Sequence, residues 1–334
     1  MKIAVLFGGD SMERDVSAAS AAQVVPALRA NGHDVAVFDA ARGRLAPEDE
    51  HRVLAGRIDR LPPPPAAAAG LAVAAAAPEL ARFDLVFLAL HGGRGENGTI
   101  QALLDLVGVP YTGSGVLGSA IGMDKEVSKR LFRDAGVPTP PWLTAPADAR
   151  EVEAELGFPV IVKPNAEGST VGLTLVQRPD ELDAAIAAAR AFDRTVLIER
   201  YIEGRELTVG VLEDRALAVG EIIPSTGPIF DYHAKYQAGA AQEIFPADLP
   251  PAVTARAQAL ALEAHRALRL DCYSRADFRL DAAGELWCLE VNTLPGLTSG
   301  SLLPRSARAA GIAFEELCER ICRAALARAD KAPS

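Results

Sequence analysis

Two short apolar runs, residues 2–7 and 34–39, flank a stretch with helical character over about 13–30 that closes at Asn31-Gly32, a C-cap signal. A strand, helix, strand unit is therefore expected at the start of the chain. A further strand at 84–90 and a helix at 99–107 follow, and the turn Gly113-Ser114-Gly115 ends the first domain. Between them, residues 41–81 contain Pro62 to Pro65 and two alanine runs. That composition fits a linker, a surface loop or a weakly anchored helix alike, and no chemistry is assigned to it. After a helix at 124–135, Pro138, Pro140 and Pro141 interrupt the chain. Strands at 159–163, 171–176 and 195–199 around a helix at 180–191 predict a small mixed domain. The last third predicts strands at 205–212 and 215–222, an irregular polar segment 224–247, a helix at 252–268, a hairpin, and a terminal helix at 313–328. No internal repeat is present.

The hairpin, within residues 271–298, carries the most chemistry. Residues two apart on a strand share a face, so Asp277, Glu290 and Asn292 can point the same way. Three hard oxygen donors then converge, and Mg2+ takes carboxylate and amide oxygens while leaving positions for water and phosphate. Taken singly, each residue reads equally well as a polar position facing water. Arg275, two before Asp277, and the Asn-Thr-Leu-Pro-Gly run after the strand favour the metal.

Composition narrows the class. A chain of 334 residues with 49% hydrophobic content is long enough for two or three domains with ordinary cores. No apolar run reaches the roughly 18 to 20 residues that span a bilayer, and Met1-Lys2-Ile3 enters a strand instead of a signal peptide. A cytoplasmic location without membrane attachment is expected. Cys272 and Cys288 lie in apolar strands, and Cys318 and Cys322 sit one helical turn apart. With no zinc or redox spacing among them, buried free thiols are expected. The net charge of −10 argues against a nucleic-acid surface, so an anionic substrate must be met by local cations.

Magnesium held by two carboxylates suits phosphoryl chemistry. Neither the P-loop nor the dinucleotide fingerprint occurs, since Phe7-Gly8-Gly9-Asp10-Ser11 fits neither. Lys125 starts a helix, and Lys163 closes the strand Val160-Ile161-Val162, where an unpaired ammonium would be costly to bury. Glu167-Gly168-Ser169-Thr170-Val171-Gly172 follows, a flap whose amides can lie over phosphates, although hairpins of this kind are common. The run 196–202, with Tyr201 and Ile202, offers strand edge and apolar surface to an adenine, and Glu199 and Glu206 offer carboxylates to ribose hydroxyls. Both glutamates also read as solvated strand residues.

In order along the chain come Gly8-Gly9-Asp10-Ser11-Met12-Glu13-Arg14-Asp15-Val16-Ser17, His91-Gly92-Gly93-Arg94-Gly95-Glu96-Asn97-Gly98-Thr99, Met123-Asp124-Lys125 and Val162-Lys163-Pro164. Glu167-Gly168-Ser169, Leu197-Ile198-Glu199, Asp231-Tyr232-His233-Ala234-Lys235-Tyr236 and Glu290-Val291-Asn292-Thr293 complete the set. This series resembles the D-alanine–D-alanine ligases of bacterial cell-wall synthesis, members of the ATP-grasp superfamily, almost end to end. The resemblance implies an α/β and α+β fold: an N-terminal open parallel α/β domain, 1–113, followed by a two-subdomain ATP-grasp fold. The central subdomain would span 114–199 and the C-terminal one 200–334, the latter carrying the metal site and a lid at 224–247.

It also implies roles. Glu13 would accept the ammonium of a first D-alanine, and His91 would help hold substrate. Lys125, Lys163 and Ser169 would hold the triphosphate of ATP; Glu199, Tyr201, Ile202 and Glu206 would hold the nucleoside. Asp277, Glu290 and Asn292 would bind two Mg2+ or Mn2+, and a monovalent cation is a further cofactor whose need the sequence leaves open. Arg275 and the Gly296 amide would form an oxyanion hole, Ser301 and Leu302 would take the second D-alanine's carboxylate, and Lys235 and Tyr236 would reach inward from the lid. A homodimer is implied as well. Thr170 departs from the family's second flap serine, Pro228-Ile229 make the lid less polar, and the 41–81 insertion is long. A ligase with another acceptor, a nucleotide-binding regulatory module and a nicotinamide-dependent oxidoreductase are the competing classes.

Overall fold

In the computed structural model, residues 1–54, 69–225 and 241–330 are described. Strand β1 (Lys2–Phe7) pairs in parallel with β2 (Asp34–Asp39) on one side and β4 (Leu85–Leu88) on the other, and a two-residue antiparallel strand, β3 (Gly43–Arg44), edges β2. Parallel strands covered on both faces read as unbroken apolar runs, and Ile3, Val5, Val37 and Phe87 have no exposed surface. The covering helices are α1 (Arg14–Ala30), α2 (Pro47–Leu54), α3 (Ala69–Leu80), the short α4 (Gly93–Glu96) and α5 (Thr99–Val107). Part of the 41–81 insertion is thus regular structure, and Val73 and Leu80 are buried in the same core. Its remainder, residues 55–68 with Pro62 to Pro65, lies outside the described residues.

A second sheet has the order β5-β8-β6-β7, antiparallel throughout: β5 (Trp142–Thr144), β6 (Val160–Pro164), β7 (Thr174–Val176) and β8 (Val196–Arg200). Helices α8 (Ala149–Glu155) and α9 (Leu182–Arg190) bury Val152, Leu156, Leu182 and Ala189 against it. β7 is shorter than the expected strand at 171–176, because Ser169 and Thr170 adopt positive φ (49° and 64°) and the chain turns before pairing begins.

The third sheet, antiparallel in the order β11-β10-β9-β12-β13, comprises β9 (Arg205–Leu212), β10 (Arg215–Pro224), β11 (Ala241–Ile244), β12 (Tyr273–Leu280) and β13 (Leu286–Asn292). Helix α10 (Pro251–Ala267) packs on it, as does α7 (Lys125–Asp134), which follows α6 (Val116–Met123): Phe132 and Val137 share a core with Leu207, Val209 and Phe278. On the other face, α11 (Leu302–Ala309) lies across β9 and β10. The last helix, α12 (Phe314–Ala329), returns to α1, so Leu317 and Ile321 are buried with the first sheet's residues.

All four cysteines are buried and unbridged. Burial pushes the Cys272 thiol up to about 11 and the Cys318 thiol up to about 12, which keeps them protonated and unreactive. Among the described residues, no helix is long and apolar enough to cross a membrane.

Candidate active site

A cleft, partly open to solvent, runs between the second and third sheets. Lys125, Lys163, Ser169, Glu199, Tyr201, Ile202 and Glu206 all line it, and so do Arg275, Asp277, Glu290 and Leu302. Ile161, Val171, Leu173 and Leu289 give it apolar walls.

On one wall, Lys163, next to last in β6, places Nζ 2.9 Å from Glu199 Oε2 on the neighbouring strand β8. Glu199 is buried, and its other oxygen lies 3.1 Å from Lys129 Nζ on α7. Although burial opposes its charge, the two ammonium groups hold the Glu199 carboxyl below its usual range. Glu199 is therefore an internal counter-ion, not a solvated strand residue. Glu206 is similarly engaged, with Arg279 Nη2 3.1 Å away, and the Arg279 guanidinium lies 5.8 Å from the centre of the Tyr201 ring.

Lys125 begins α7, whose first turn is capped by Asp124 accepting from the Val127 amide at 3.0 Å. Its Nζ donates to the Glu167 carbonyl at 2.7 Å and stands 3.3 Å from Glu290 Oε2, so one lysine joins flap and hairpin.

β12 and β13 set Asp277 opposite Glu290 and Arg275 opposite Asn292, with an irregularity in the pairing just after Asp277. Asp277 accepts from Arg275 through both oxygens, from Thr208 Oγ1 at 2.7 Å and from Asn292 Nδ2 at 3.0 Å. Among the described residues no three His, Cys, Asp or Glu side chains gather into a metal cluster. The donor set here is two carboxylates and an amide oxygen. Each carboxylate already faces a cation, Arg275 or Lys125, so the patch is built to meet positive charge and fits a hard divalent ion.

Glu13 is the N-cap of α1 at the end of the Gly-rich turn. Ser169 Oγ donates to its Oε1, tying the first domain to the flap. Approach is close: a Cβ on Gly168 would lie 2.6 Å from Glu13 Oε2. Glu167 beside it has its carboxyl pushed up, first by burial and then by the Glu13 charge. At the far end of the flap, Gly172 has φ +70° and a Cβ there would meet Phe192 at 2.7 Å, so glycine is required on both counts.

His91 follows β4 but both ring nitrogens have partners within the protein: Nδ1 donates to the Leu294 carbonyl at 2.8 Å and Nε2 pairs with Ser20 Oγ at 2.9 Å. Ser20 Oγ in turn accepts the Leu297 amide at 3.1 Å. Glu96, buried, receives the Gly92 amide on Oε2 and the Thr293 amide, Thr293 hydroxyl and Leu294 amide on Oε1. These groups hold loop 293–297, and with it Gly296, against the first domain. Gly296 also packs on Ser301, whose Oγ lies 2.8 Å from Thr298 Oγ1 at the start of α11. Lys235 and Tyr236 lie outside the described residues.

Sequence reading missed Lys129, Thr208, Ser20 and the internal role of Glu96. Glu96 stood within the His91 to Thr99 motif, a usable signal; the others gave none, because their partners are distant in sequence.

Two family descriptions match the chain: "D-ala D-ala ligase N-terminus" over residues 2–114 and "D-ala D-ala ligase C-terminus" over residues 131–323. The chain is 43% identical over 330 residues to the D-alanine–D-alanine ligase of Gluconobacter oxydans, covering 98% of this chain and 100% of that one. It is 42% identical over 323 residues to that of Geobacter sulfurreducens, covering 96% and 92%. Among solved structures, the D-alanine–D-alanine ligase of Bacillus anthracis complexed with ATP superposes with TM-score 0.77 at 30% identity over the whole of both chains. A further D-alanine–D-alanine ligase structure from Bacillus anthracis gives 0.79 at 31%, covering 99% of each chain.

Proposed function

The chain belongs to the D-alanine–D-alanine ligase family, and from that premise we propose that it joins two D-alanine molecules into D-alanyl-D-alanine, with ATP converted to ADP and phosphate, for peptidoglycan precursor synthesis. One observation carries the reading: Lys163 from the second sheet and the Arg275–Asp277 pair from the third line one cleft, and Glu13 from the first domain is joined to the cleft's flap through Ser169.

The donor's carboxylate must attack the γ-phosphate of ATP although both are anionic, so cations have to offset their repulsion before in-line transfer. Lys125 and Lys163 supply two, and the amides of residues 168–172 lie over the phosphates. Asp277, Glu290 and Asn292 would hold Mg2+ or Mn2+, two ions in this reading. When bound, the ions supply further positive charge at the transferring phosphoryl group. Glu13, held by Ser169, accepts the first D-alanine's ammonium. Tyr201 and Ile202 take the adenine, and Glu206 the ribose. Glu199 serves this region through Lys163, which it holds in place.

Transfer yields an acyl phosphate. The amine of the second D-alanine, freed of its extra proton, attacks the acyl carbonyl; the charge developing on that oxygen is received by Arg275 and the Gly296 amide, and collapse of the adduct breaks the bond to phosphate, which leaves as the amide bond forms. Ser301 and the Leu302 amide, at the N-terminus of α11, take the second carboxylate. His91 and Glu96 act on this step by holding the loop that carries Gly296. Lys235 and Tyr236 keep the roles the resemblance implies, on sequence alone. The reading places a homodimer in the cytoplasm, where ATP and D-alanine are both available.

The test is ADP release with ATP, Mg2+ and D-alanine, with the product identified by mass. One dipeptide per ADP is expected, with no turnover on L-alanine. ADP release without dipeptide, or dominance of the D-lactate depsipeptide when D-lactate is added, would overturn the assignment.

A further inference from the structure

Among the described residues, Lys129 is the one lysine with no exposed surface, and it does not line the cleft. It sits one helical turn after Lys125 on α7, on the same face. Lys125 reaches the flap; Lys129 reaches beneath the cleft floor. Its Nζ is 3.1 Å from Glu199 Oε1, donates to Thr139 Oγ1 at 2.7 Å, and lies 5.1 Å from the centre of the Trp142 ring.

Burying a second ammonium beside Lys163 is unfavourable, and Glu199 offsets that cost by lying between the two. The arrangement divides Glu199: Lys129 faces one oxygen and Lys163 the other. An ammonium has three donors, so a Lys163 bound to a single carboxylate oxygen keeps the rest for the cleft. The oxygen facing Lys129 is buried and held by that ion pair without a well-formed hydrogen bond; with Lys129 gone it would lose its counter-ion as well, and Lys163, already on the other oxygen, is the cation left to satisfy it.

We propose that Lys129 is a positioning residue for ATP: by occupying one oxygen of Glu199 it confines Lys163 to the other and leaves the Lys163 ammonium turned toward the triphosphate. The inference rests on the assignment of Lys163 to the phosphates. Its protonation belongs to the same argument. Burial pushes Lys129 down to about 8, with Glu199 raising it and Lys163 lowering it; Cys288 also faces it, and Arg133 shares the Trp142 ring. Deprotonation above that pH should weaken ATP binding as removal of the amine does.

The experiment compares wild type, Lys129→Met and Thr139→Val by steady-state kinetics with ATP and D-alanine varied in turn, from neutral to alkaline pH. Lys129→Met is expected to raise KM for ATP by about tenfold or more, the effect of losing a hydrogen bond to a charged group. KM for D-alanine and kcat at saturating ATP should change far less. Wild type should show KM for ATP rising above about pH 8, and this rise should vanish in the Met variant. If Lys129→Met does not fold, Thr139→Val decides, because it removes only the hydroxyl that orients Nζ. A smaller rise in KM for ATP supports the proposal, and an unchanged one overturns it. A loss of kcat or melting temperature with KM for ATP constant in a folded Lys129→Met also overturns it, since packing alone would do that. Wild type that makes no dipeptide would instead refute the function proposed above.

Discussion

Arg275 and Asp277, two residues apart on β12, face each other through two parallel hydrogen bonds, Nε to Oδ1 at 2.9 Å and Nη2 to Oδ2 at 2.7 Å. Only a planar guanidinium makes both at once. Arg275→Lys keeps the charge and loses the fork, so the cation no longer has a fixed direction when charge develops on the reacting oxygen. The expected result is a fall in kcat of roughly 100- to 1,000-fold, with KM for ATP little changed, measured by ADP release. A kcat near that of wild type would remove Arg275 from the reaction.

Glu96 gathers four donors on one buried carboxylate, three of them from Thr293 and Leu294. A Gln amide can accept on one side only, so Glu96→Gln turns an NH2 toward at least one existing N–H. The substitution should destabilise the fold by about 1 to 3 kcal/mol in urea titration. It should also lower kcat, because loop 293–297 carries the Gly296 amide. Loss of stability without loss of kcat in the folded fraction would show that this loop tolerates movement.

The same residues show what a sequence can and cannot disclose. β1 and β2 were legible as unbroken apolar runs, and α1, α5, β9, β10, β12 and β13 because each is long enough to display a pattern; the convergence of Asp277, Glu290 and Asn292 follows from the two-residue repeat of a strand. β5, with three residues, and α8, with seven, are too short to show one. Strand 171–176 came out shortened because the flap's path is set by tertiary contacts, Gly172 on Phe192 and Gly168 on Glu13. In the site, the residue types were legible and their pairings were not. Glu199 was read as facing ribose or solvent, yet its environment is set by Lys129 on a helix from another part of the chain.

Gly168 tests the reach of Glu13. Its φ is not left-handed, so alanine is compatible with the backbone there; what alanine meets is Glu13, with Oε2 at 2.6 Å and Cδ at 3.3 Å from the new Cβ. The carboxylate has to swing away from Ser169 and from the place assigned to the donor's ammonium. Gly168→Ala should therefore lower kcat/KM for D-alanine by about tenfold to 100-fold, the scale of a misplacement near 1 Å. The larger part should fall on D-alanine and the smaller on ATP, read from initial rates with each varied in turn. The opposite split would place Glu13 with the phosphates.

His265 on α10 sets an acid limit to stability. Its Nδ1 lies 2.8 Å from Ser274 Oγ, and it is buried against the third sheet, which pushes its pKa down from 6.5 to about 4 despite the nearby Asp271 and Asp214. The unfolded chain thus binds a proton at this site that the folded one refuses between those two values, so stability must fall as pH drops through the window. The loss should reach about 2 kcal/mol between about pH 7 and about pH 5, read from urea midpoints. Glu167 and Glu243 oppose it, since burial raises both carboxyls and the folded state gains from their protonation on the same acid side. The contribution of His265 is therefore isolated by comparison: His265→Gln, which keeps a partner for Ser274 but cannot take up a proton, should flatten the acid slope by that amount. An unchanged slope would mean that His265 is protonated in the folded state and that Ser274 accepts from it.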